Sequence, residues 1–233
     1  MDRALPWASP CLLAIMLFSN SIFSTAEESE WQYLGNDNDI EIYSKPVEFS
    51  EYQAFKGTTV IPGSIASLLK VFENPDICSQ WIHGCESAAI LDSKGFFQRN
   101  VYQVNDFPWP AQDRDLVSEV TINEEINKGL VTVQMQSRPK YIEETELVRI
   151  PLSVGVFQFK YIQDSVTEVS WEQHTEPGGV LPSWLVNQMI VEVPVNTLSH
   201  LKELVQMEPY VSAVLQRDDK GNITGWLDKG IQK

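Results

Sequence analysis

Hydrophobic and polar residues alternate with a period of two along much of the chain between residues 40 and 175, which is the pattern of β-strands. Short groups of turn residues separate the alternating segments, for example Asp92-Ser93-Lys94-Gly95 in a predicted hairpin. The segments cover residues 40–47, 52–61, 88–104, 116–122, 130–136, 145–150, 156–162 and 168–175. No helical pattern interrupts them after residue 88, so we predict about eight strands in an antiparallel sheet.

Helical patterns lie at the two ends of this strand-rich region. Residues 31–34 suggest a helical turn, and Ser64 is a candidate N-cap for a helix with apolar residues at helical spacing. A shorter helix is predicted over residues 77–82. A long helix begins at Pro182 and covers residues 183–206, with Pro194 as an expected kink.

The long helix is apolar around much of its first half, and its candidate inward-facing residues include Trp184 and Met189. A helix of this kind lies deep in a core or closes a hollow. We therefore predict an α+β fold in which a curved antiparallel sheet wraps a long C-terminal helix and encloses a hydrophobic cavity. The predicted domain covers residues 27–207, and residues 208–233 are expected to form a loosely attached C-terminal extension.

The first 26 residues resemble an export signal. A basic residue near the N-terminus precedes the short apolar run CLLAIMLF and the small residues Ser24-Thr25-Ala26. This run is shorter than the roughly 20 residues of a membrane-spanning helix. We predict cleavage after Ala26 and a protein that is exported, either to a periplasm or by secretion.

Charge and cysteine content narrow the possible classes of function. The net charge of −15, without a basic patch, argues against nucleic-acid binding. Cys78 and Cys85 remain after the signal is removed, and in an oxidising compartment they are a candidate disulfide; two buried free thiols are the alternative. The spacing of potential ligands predicts no metal site, and we expect no cofactor.

Two arginines within predicted strands, Arg99 and Arg149, are candidates for polar contacts inside the cavity. An inward-facing arginine requires a partner or a polar ligand group, whereas an outward-facing one is solvated. Aromatic side chains on the last strands are candidates for the cavity wall: Phe157, Phe159 and Trp171.

The case for an enzyme is weak because no nucleophile elbow, phosphate loop or zinc spacing occurs in the sequence. His174 with Glu172, two residues before it on the same strand, is a possible general base, and an edge hydrogen bond is the alternative.

Three segments together resemble one known family. They are PAQDRD at residues 110–115 followed by LVSEV, LVRI at residues 147–150, and EPGGVLPSWLVNQMI at residues 176–190. In order and spacing they are similar to motifs of the START (steroidogenic-acute-regulatory-protein-related lipid transfer) domain family. The resemblance covers residues 31–206. The sterol-carrying branch has an arginine where this chain has Val120, so sterol specificity is not implied.

The resemblance implies a helix-grip fold with a hydrophobic tunnel for one lipid. Arg114 and Asp115 would fix a strand entrance beside the tunnel, with Trp109 in the preceding elbow, and Pro182 would begin the helix that gates entry. Arg149 matches the family's Val-Arg position.

We therefore expect a monomeric carrier of a lipid or other hydrophobic small molecule that contacts membranes transiently. The alternatives are a helix-grip enzyme of the cyclase or hydrolase type and a ligand-free interaction module whose own side chains fill the cavity. The sequence does not indicate which ligand is bound.

Overall fold

The computed structural model describes residues 30–227 of the chain, so the predicted signal peptide lies outside the described residues. One large sheet within that range contains ten strands. They are β1 (Gln32–Asp37), β2 (Ile40–Lys45), β3 (Ala54–Ile61), β4 (Cys85–Ser93), β5 (Gln98–Asn105), β6 (Arg114–Glu125), β7 (Leu130–Ser137), β8 (Val148–Arg149), β9 (Leu152–Gln163) and β10 (Val166–Glu176).

The order of the strands across the sheet is β1-β2-β3-β10-β9-β7-β6-β5-β4, and these neighbours are antiparallel. The predicted antiparallel sheet is therefore confirmed. One pairing departs from it, because the two-residue strand β8 runs parallel to β6 and places Arg149 beside Asp115. The strand predicted at residues 145–150 is thus much shorter than its alternating pattern suggested.

The prediction of a helical turn at residues 31–34 is wrong. This segment belongs to β1, whose backbone pairs with β2, and the ring of Tyr33 packs edge-on against Tyr43 at 5.4 Å. Pairing with a neighbouring strand satisfies backbone groups that a single helical turn would leave exposed. The first helix consequently follows the third strand and not the second.

In the described part of the chain, three helices accompany the sheet: α1 (Ile65–Glu73), α2 (Cys78–Trp81) and α3 (Ser183–Leu204). Ser64 caps α1, because its side-chain oxygen accepts a hydrogen bond from the Ser67 N–H at 3.0 Å. A 3₁₀ turn, Pro75–Ile77, joins α1 to α2. Helix α3 continues through Pro194. None of the helices within residues 30–227 is long and apolar enough to cross a membrane.

Helix α3 crosses the inner face of the sheet and packs on β2, β3 and α2. Gly57 on β3 allows the close approach, since a Cβ atom there would lie 2.8 Å from Leu198 and 3.1 Å from Pro194. Beyond this crossing, the second half of α3 is part of the hydrophobic core through Leu198, Leu201 and Leu204. The predicted α+β fold with a sheet wrapped on its C-terminal helix is confirmed.

The chain after α3 is not loosely attached as far as residue 227. Strands β11 (Leu215–Arg217) and β12 (Ile223–Trp226) form a small hairpin. Tyr210 and Ile223 are buried in the main core, and Arg217 forms an ion pair with Glu124 of β6 at 2.7 Å. These contacts extend the folded unit beyond the predicted boundary at residue 207.

Candidate ligand-binding cavity

A cavity of about 320 Å³ lies between the inner face of the sheet and the first half of α3. Its volume is at the lower end of the range of about 300–1,000 Å³ that small-molecule sites occupy. The wall is mostly apolar, and it includes Val101, Leu116, Val120, Met135, Ile150 and Leu185.

Stacked and edge-on aromatic rings form the boundary between the cavity and the solid core. Phe157 stacks on Trp171 with ring centroids 4.7 Å apart, and Phe55 meets Trp171 edge-on at 4.8 Å. Phe72 of α1 packs on Phe157 at 4.8 Å and on Trp81 of α2 at 4.7 Å. This rigid wall exists because β9 presents Phe157 and Phe159 on one face and β10 places Trp171 directly across from Phe157.

The opposite wall is formed by α3 and by α2. Leu185, Met189 and Val193 of α3 line the cavity, and so does Trp81 of α2. In the structure Cys78 and Cys85 form a disulfide with their Cα atoms 5.8 Å apart, which joins α2 to the start of β4. Helix α3 is held to the segment after α2 as well, because the His83 N–H donates to the Thr197 hydroxyl at 3.1 Å.

A polar network interrupts the apolar wall on β9 and β10. Gln173 donates to the hydroxyl oxygens of Ser153 at 2.6 Å and Thr175 at 3.0 Å, and it accepts from the Trp171 indole N–H at 3.3 Å. All four side chains line the cavity. Gly155 lies directly across the ladder from Gln173, and a Cβ atom there would be 2.2 Å from the Gln173 Oε1. The glycine therefore makes room for the network.

Arg99 is the cavity-lining arginine of the described residues. It is only 6% exposed, lies on the inner face of β5 with Val101 and Gln103, and donates one hydrogen bond to the Phe72 carbonyl at 2.9 Å. Burial lowers the pKa of its guanidinium, and the charge of Glu73 opposes that effect.

Beside the cavity, β6 and β8 are joined by a buried ion pair. The Nε of Arg149 donates to Asp115 Oδ1 at 2.7 Å and its Nη2 donates to Oδ2 at 2.9 Å, a bidentate arrangement. Asp115 also accepts from the Thr145 hydroxyl at 2.8 Å and from Tyr102 at 3.3 Å. Burial alone would raise the pKa of Asp115, but the hydrogen bonds from Arg149 and Thr145 outweigh it and hold the pKa below its usual value.

Arg114 connects this ion pair to the chain that enters α3. Its guanidinium donates to the carbonyls of Gln112 and Gly178 and lies 4.4 Å from the centre of the Phe107 ring. Gly178 has φ +70°, a conformation that favours glycine, and a Cβ atom there would be 3.2 Å from the Arg149 carbonyl oxygen. The three sequence motifs therefore meet at one place in the fold.

We call the end of the cavity lined by residues 46–53, 106–113 and 177–182 the loop end. The loops are held by the strand ends beside them, since Ser50 donates to Glu176 at the end of β10 and Arg114 at the start of β6 donates to the Gly178 carbonyl. Each loop carries a large apolar side chain that is almost completely exposed: Phe49 (99%), Trp109 (89%) and Val180 (94%). Trp184, in the first turn of α3, is 57% exposed.

The structure separates the predicted site residues into two groups. Arg99, Phe157, Trp171 and Met189 line the cavity. Phe159 is fully buried in the core, Trp184 is exposed, and Arg149 has its donors engaged by Asp115 and by the carbonyls of Pro139 and Glu143. These three residues are not part of the cavity wall, so Arg149 is not placed to contact a ligand inside the cavity.

Among the predicted structural and gate residues, Arg114 and Asp115 are buried and occupy the strand entrance. Trp109 lies in the second loop of the loop end, and Pro182 immediately precedes α3. The gating of ligand entry by the helix that begins after Pro182 stays a prediction.

The sequence analysis missed the polar network of Ser153, Gln173 and Thr175. The signal was present, because Gln173 and Thr175 lie at steps of two from Trp171 on β10, and Ser153 lies at steps of two from Phe157 on β9.

His174 lies on the opposite face of β10 from Trp171 and Gln173, and it contacts Glu176 at 3.2 Å, not Glu172. It is not among the residues that line the cavity. Neither His174 nor Arg149 is therefore placed to contact a substrate bound in the cavity. The described residues also contain no cluster of His, Cys, Asp or Glu suited to a metal ion.

An antiparallel sheet that grips a C-terminal helix around an internal cavity defines the helix-grip class of ligand-binding proteins. The model of the START domain matches residues 24–209 of this chain. The chain belongs to the START domain family.

Relatives agree with this assignment. The chain is 31% identical over 199 residues to the uncharacterized protein PA1579 of Pseudomonas aeruginosa, covering 84% of this chain and 98% of the relative. A STAR-related lipid transfer protein from Xanthomonas axonopodis has a similar structure, with a TM-score of 0.70 and 28% identity over 76% of this chain and 99% of the other. Human StAR-related lipid transfer protein 5 shares the fold, with a TM-score of 0.66 and 15% identity over 76% and 86% of the two chains.

Proposed function

We propose that the protein binds one hydrophobic ligand, a lipid or a molecule of similar character, and carries it between membranes as a monomer. The observation that supports this most directly is the apolar cavity of about 320 Å³ beneath α3, which its own side chains do not fill. A ligand that removes about fifteen CH₂ groups from water gains on the order of 12 kcal/mol. Burial alone is thus a sufficient driving force for binding.

Entry of a ligand requires α3 or the loop end to move. The first half of α3 roofs the cavity, whereas its second half is buried in the core, so we propose that the first half and the adjoining loops open. Phe49, Trp109 and Val180 project from this end and would enter the apolar layer of a membrane during transfer. The net charge of −15 opposes lasting contact with anionic lipids, so contact is brief.

Binding inside the cavity is tested by filling it. Val101→Trp places a large ring on the inner face of β5, and Val60→Trp makes the same change at an exposed position of β3 away from the cavity. With a fluorescent fatty-chain probe, saturable binding should be lost in Val101→Trp and retained in Val60→Trp. Equal binding by both folded variants would show that the probe lies elsewhere on the protein.

We also propose that the protein is exported and cleaved after Ala26. The support is the sequence pattern of residues 1–26 and the pairing of Cys78 with Cys85, which suits an oxidising compartment. Cell fractionation combined with N-terminal sequencing should find a chain that starts at Glu27 outside the cytoplasm. An intact N-terminus in the cytoplasmic fraction would contradict the proposal.

A further inference from the structure

Arg99 lies at the end of β5 that is remote from the loop end. Strand β5 runs from Gln98 to Asn105, and Asn105 leads directly into the loop that contains Trp109. At about 3.3 Å per residue, the six residue steps from Arg99 to Asn105 span up to about 20 Å. A ligand that enters at the loop end therefore meets the guanidinium at the inner end of the cavity.

The hydrogen bonds of Arg99 leave most of its donors free. A guanidinium has five N–H donors, and the described residues accept one of them, at the Phe72 carbonyl. The Nε and Nη1 atoms of Arg99 are not fully buried, since neither is found among the inaccessible polar atoms that lack a hydrogen-bond partner. Because the residue is 6% exposed and lines the cavity, these donors face the cavity space.

No carboxylate among the described residues forms an ion pair with Arg99. Glu73, the acid whose charge acts on it, is bound instead to Lys70 of the same helix at 3.0 Å. The contrast with Arg149 is clear, since that buried arginine has a bidentate carboxylate and two carbonyl partners. A buried charge without a directly bonded carboxylate is costly, so a ligand anion at this position would be stabilised.

We propose that Arg99 is the anion-binding group of the cavity and that the ligand is a single-chain amphiphile whose carboxylate or phosphate head binds it. This inference rests on the proposed ligand-binding function and specifies its ligand class. The cavity volume of about 320 Å³ favours one chain, because a second acyl chain would roughly double the space required. The apolar residues between Arg99 and the loop end then enclose the chain.

The alternative role for Arg99 is structural. Its bond to the Phe72 carbonyl lies at the C-terminal end of α1, where a cation is favourable. That role requires one donor and a positive charge, and it predicts the same affinity for charged and neutral ligands. Ligands that differ only in the head group separate the two roles.

The test uses three probes with the same chain: hexadecanoic acid, hexadecanol and hexadecyl phosphate. Binding to delipidated protein at pH 8 is followed by tryptophan fluorescence, because Trp81 and Trp171 line the cavity. At least one acidic probe should bind about 10- to 100-fold more tightly than the alcohol, as expected for charge-assisted hydrogen bonds. The acid that binds more tightly identifies the head as carboxylate or phosphate.

Arg99→Met removes the charge with little change in length, and it should abolish the preference while leaving affinity for hexadecanol within about threefold. Arg138→Met is the matched control, because Arg138 is exposed and pairs with Glu119 on the outer face of β6. It should leave the affinities for all three probes unchanged. Arg99→Lys keeps the charge and should retain part of the preference.

Each other outcome has a distinct meaning. Equal affinity of the wild-type protein for acids and alcohol would overturn the anion-binding inference and leave the carrier proposal standing. Equal losses for all three probes in Arg99→Met would assign the residue a structural role and also overturn it. Failure of all probes to bind the wild-type protein would count against the proposed function itself.

Discussion

The bidentate pair of Asp115 and Arg149 shows how individual residues hold the wall of the cavity. The two side chains come from positions 34 apart in sequence and meet because β8 pairs with the start of β6. Both are almost completely buried, and every neighbour of Asp115 named above is a donor. A buried charge that loses its partner costs far more free energy than an exposed one. Breaking this pair should therefore destabilise the protein more than breaking an exposed ion pair.

Asp115→Asn should lower the free energy of unfolding by about 3–5 kcal/mol, because it leaves the Arg149 charge buried and unpaired. Urea unfolding followed by circular dichroism measures the loss. The double variant with Asp115→Asn and Arg149→Met should lose less free energy of unfolding than the sum of the losses in the two single variants. Glu119→Gln, which breaks the exposed pair with Arg138, should cost less than about 1 kcal/mol. Additive effects of Asp115→Asn and Arg149→Met would refute the coupling.

Lowering the pH should remove the contribution of Asp115 to the free energy of unfolding. The pKa of Asp115 is depressed in the folded state, so its stabilisation is present above the unfolded value of about 3.9 and is lost as pH falls through the folded value. The difference in unfolding free energy between the wild type and Asp115→Asn should therefore be constant from pH 7 to about 5 and shrink below about 4. Urea titrations across this range measure it, and a difference that does not change with pH would contradict the assignment.

At the scale of elements, the contact between α3 and the sheet divides the helix into two parts. Gly57 lets α3 approach β3 beside Pro194 and Leu198, and the chain beyond that crossing is buried in the core. The part before the crossing covers the cavity. One helix is thus anchored at its C-terminal half and supplies a wall with its N-terminal half.

Gly57→Ala should destabilise the fold by about 1–3 kcal/mol, because the new methyl group overlaps Leu198 and meets the Pro194 ring. The effect should be coupled to Leu198→Ala, which removes the closest atom, and additive with Leu201→Ala, which lies one turn further along α3. Thermal and urea unfolding of the double variants provide the comparison. An additive effect with Leu198→Ala would mean that the helix does not approach β3 at this point.

At the scale of the whole molecule, much of the fold follows from the sequence, because most strands are long enough for their alternation to be clear. Contacts between distant strands could not be predicted in the same way. Gln173 meets Gly155 through the register of β9 and β10, and Arg149 meets Asp115 through a parallel pair of two residues. The sequence predicts that Arg149 needs a partner if it faces inward, but it does not distinguish a ligand from an aspartate.

The exposed apolar residues of the loop end define how the molecule should meet a membrane. Trp109→Ser should slow transfer of a fluorescent lipid between zwitterionic vesicles several-fold, because a side chain that is 89% exposed contributes to insertion and not to packing. Tyr161→Ser, at an exposed position on β9 outside the loop end, is the control and should leave the rate unchanged. Probe binding in the absence of vesicles should be the same in both variants. Equal transfer rates would mean that another surface docks.

The central claim is that the cavity holds a hydrophobic ligand, and native mass spectrometry of protein purified without detergent tests it most directly. The spectrum should show a stoichiometric adduct of lipid-like mass that organic extraction releases. Incubation of stripped protein with mixed lipid vesicles should restore the adduct. A clean unliganded mass before and after that incubation would contradict the account.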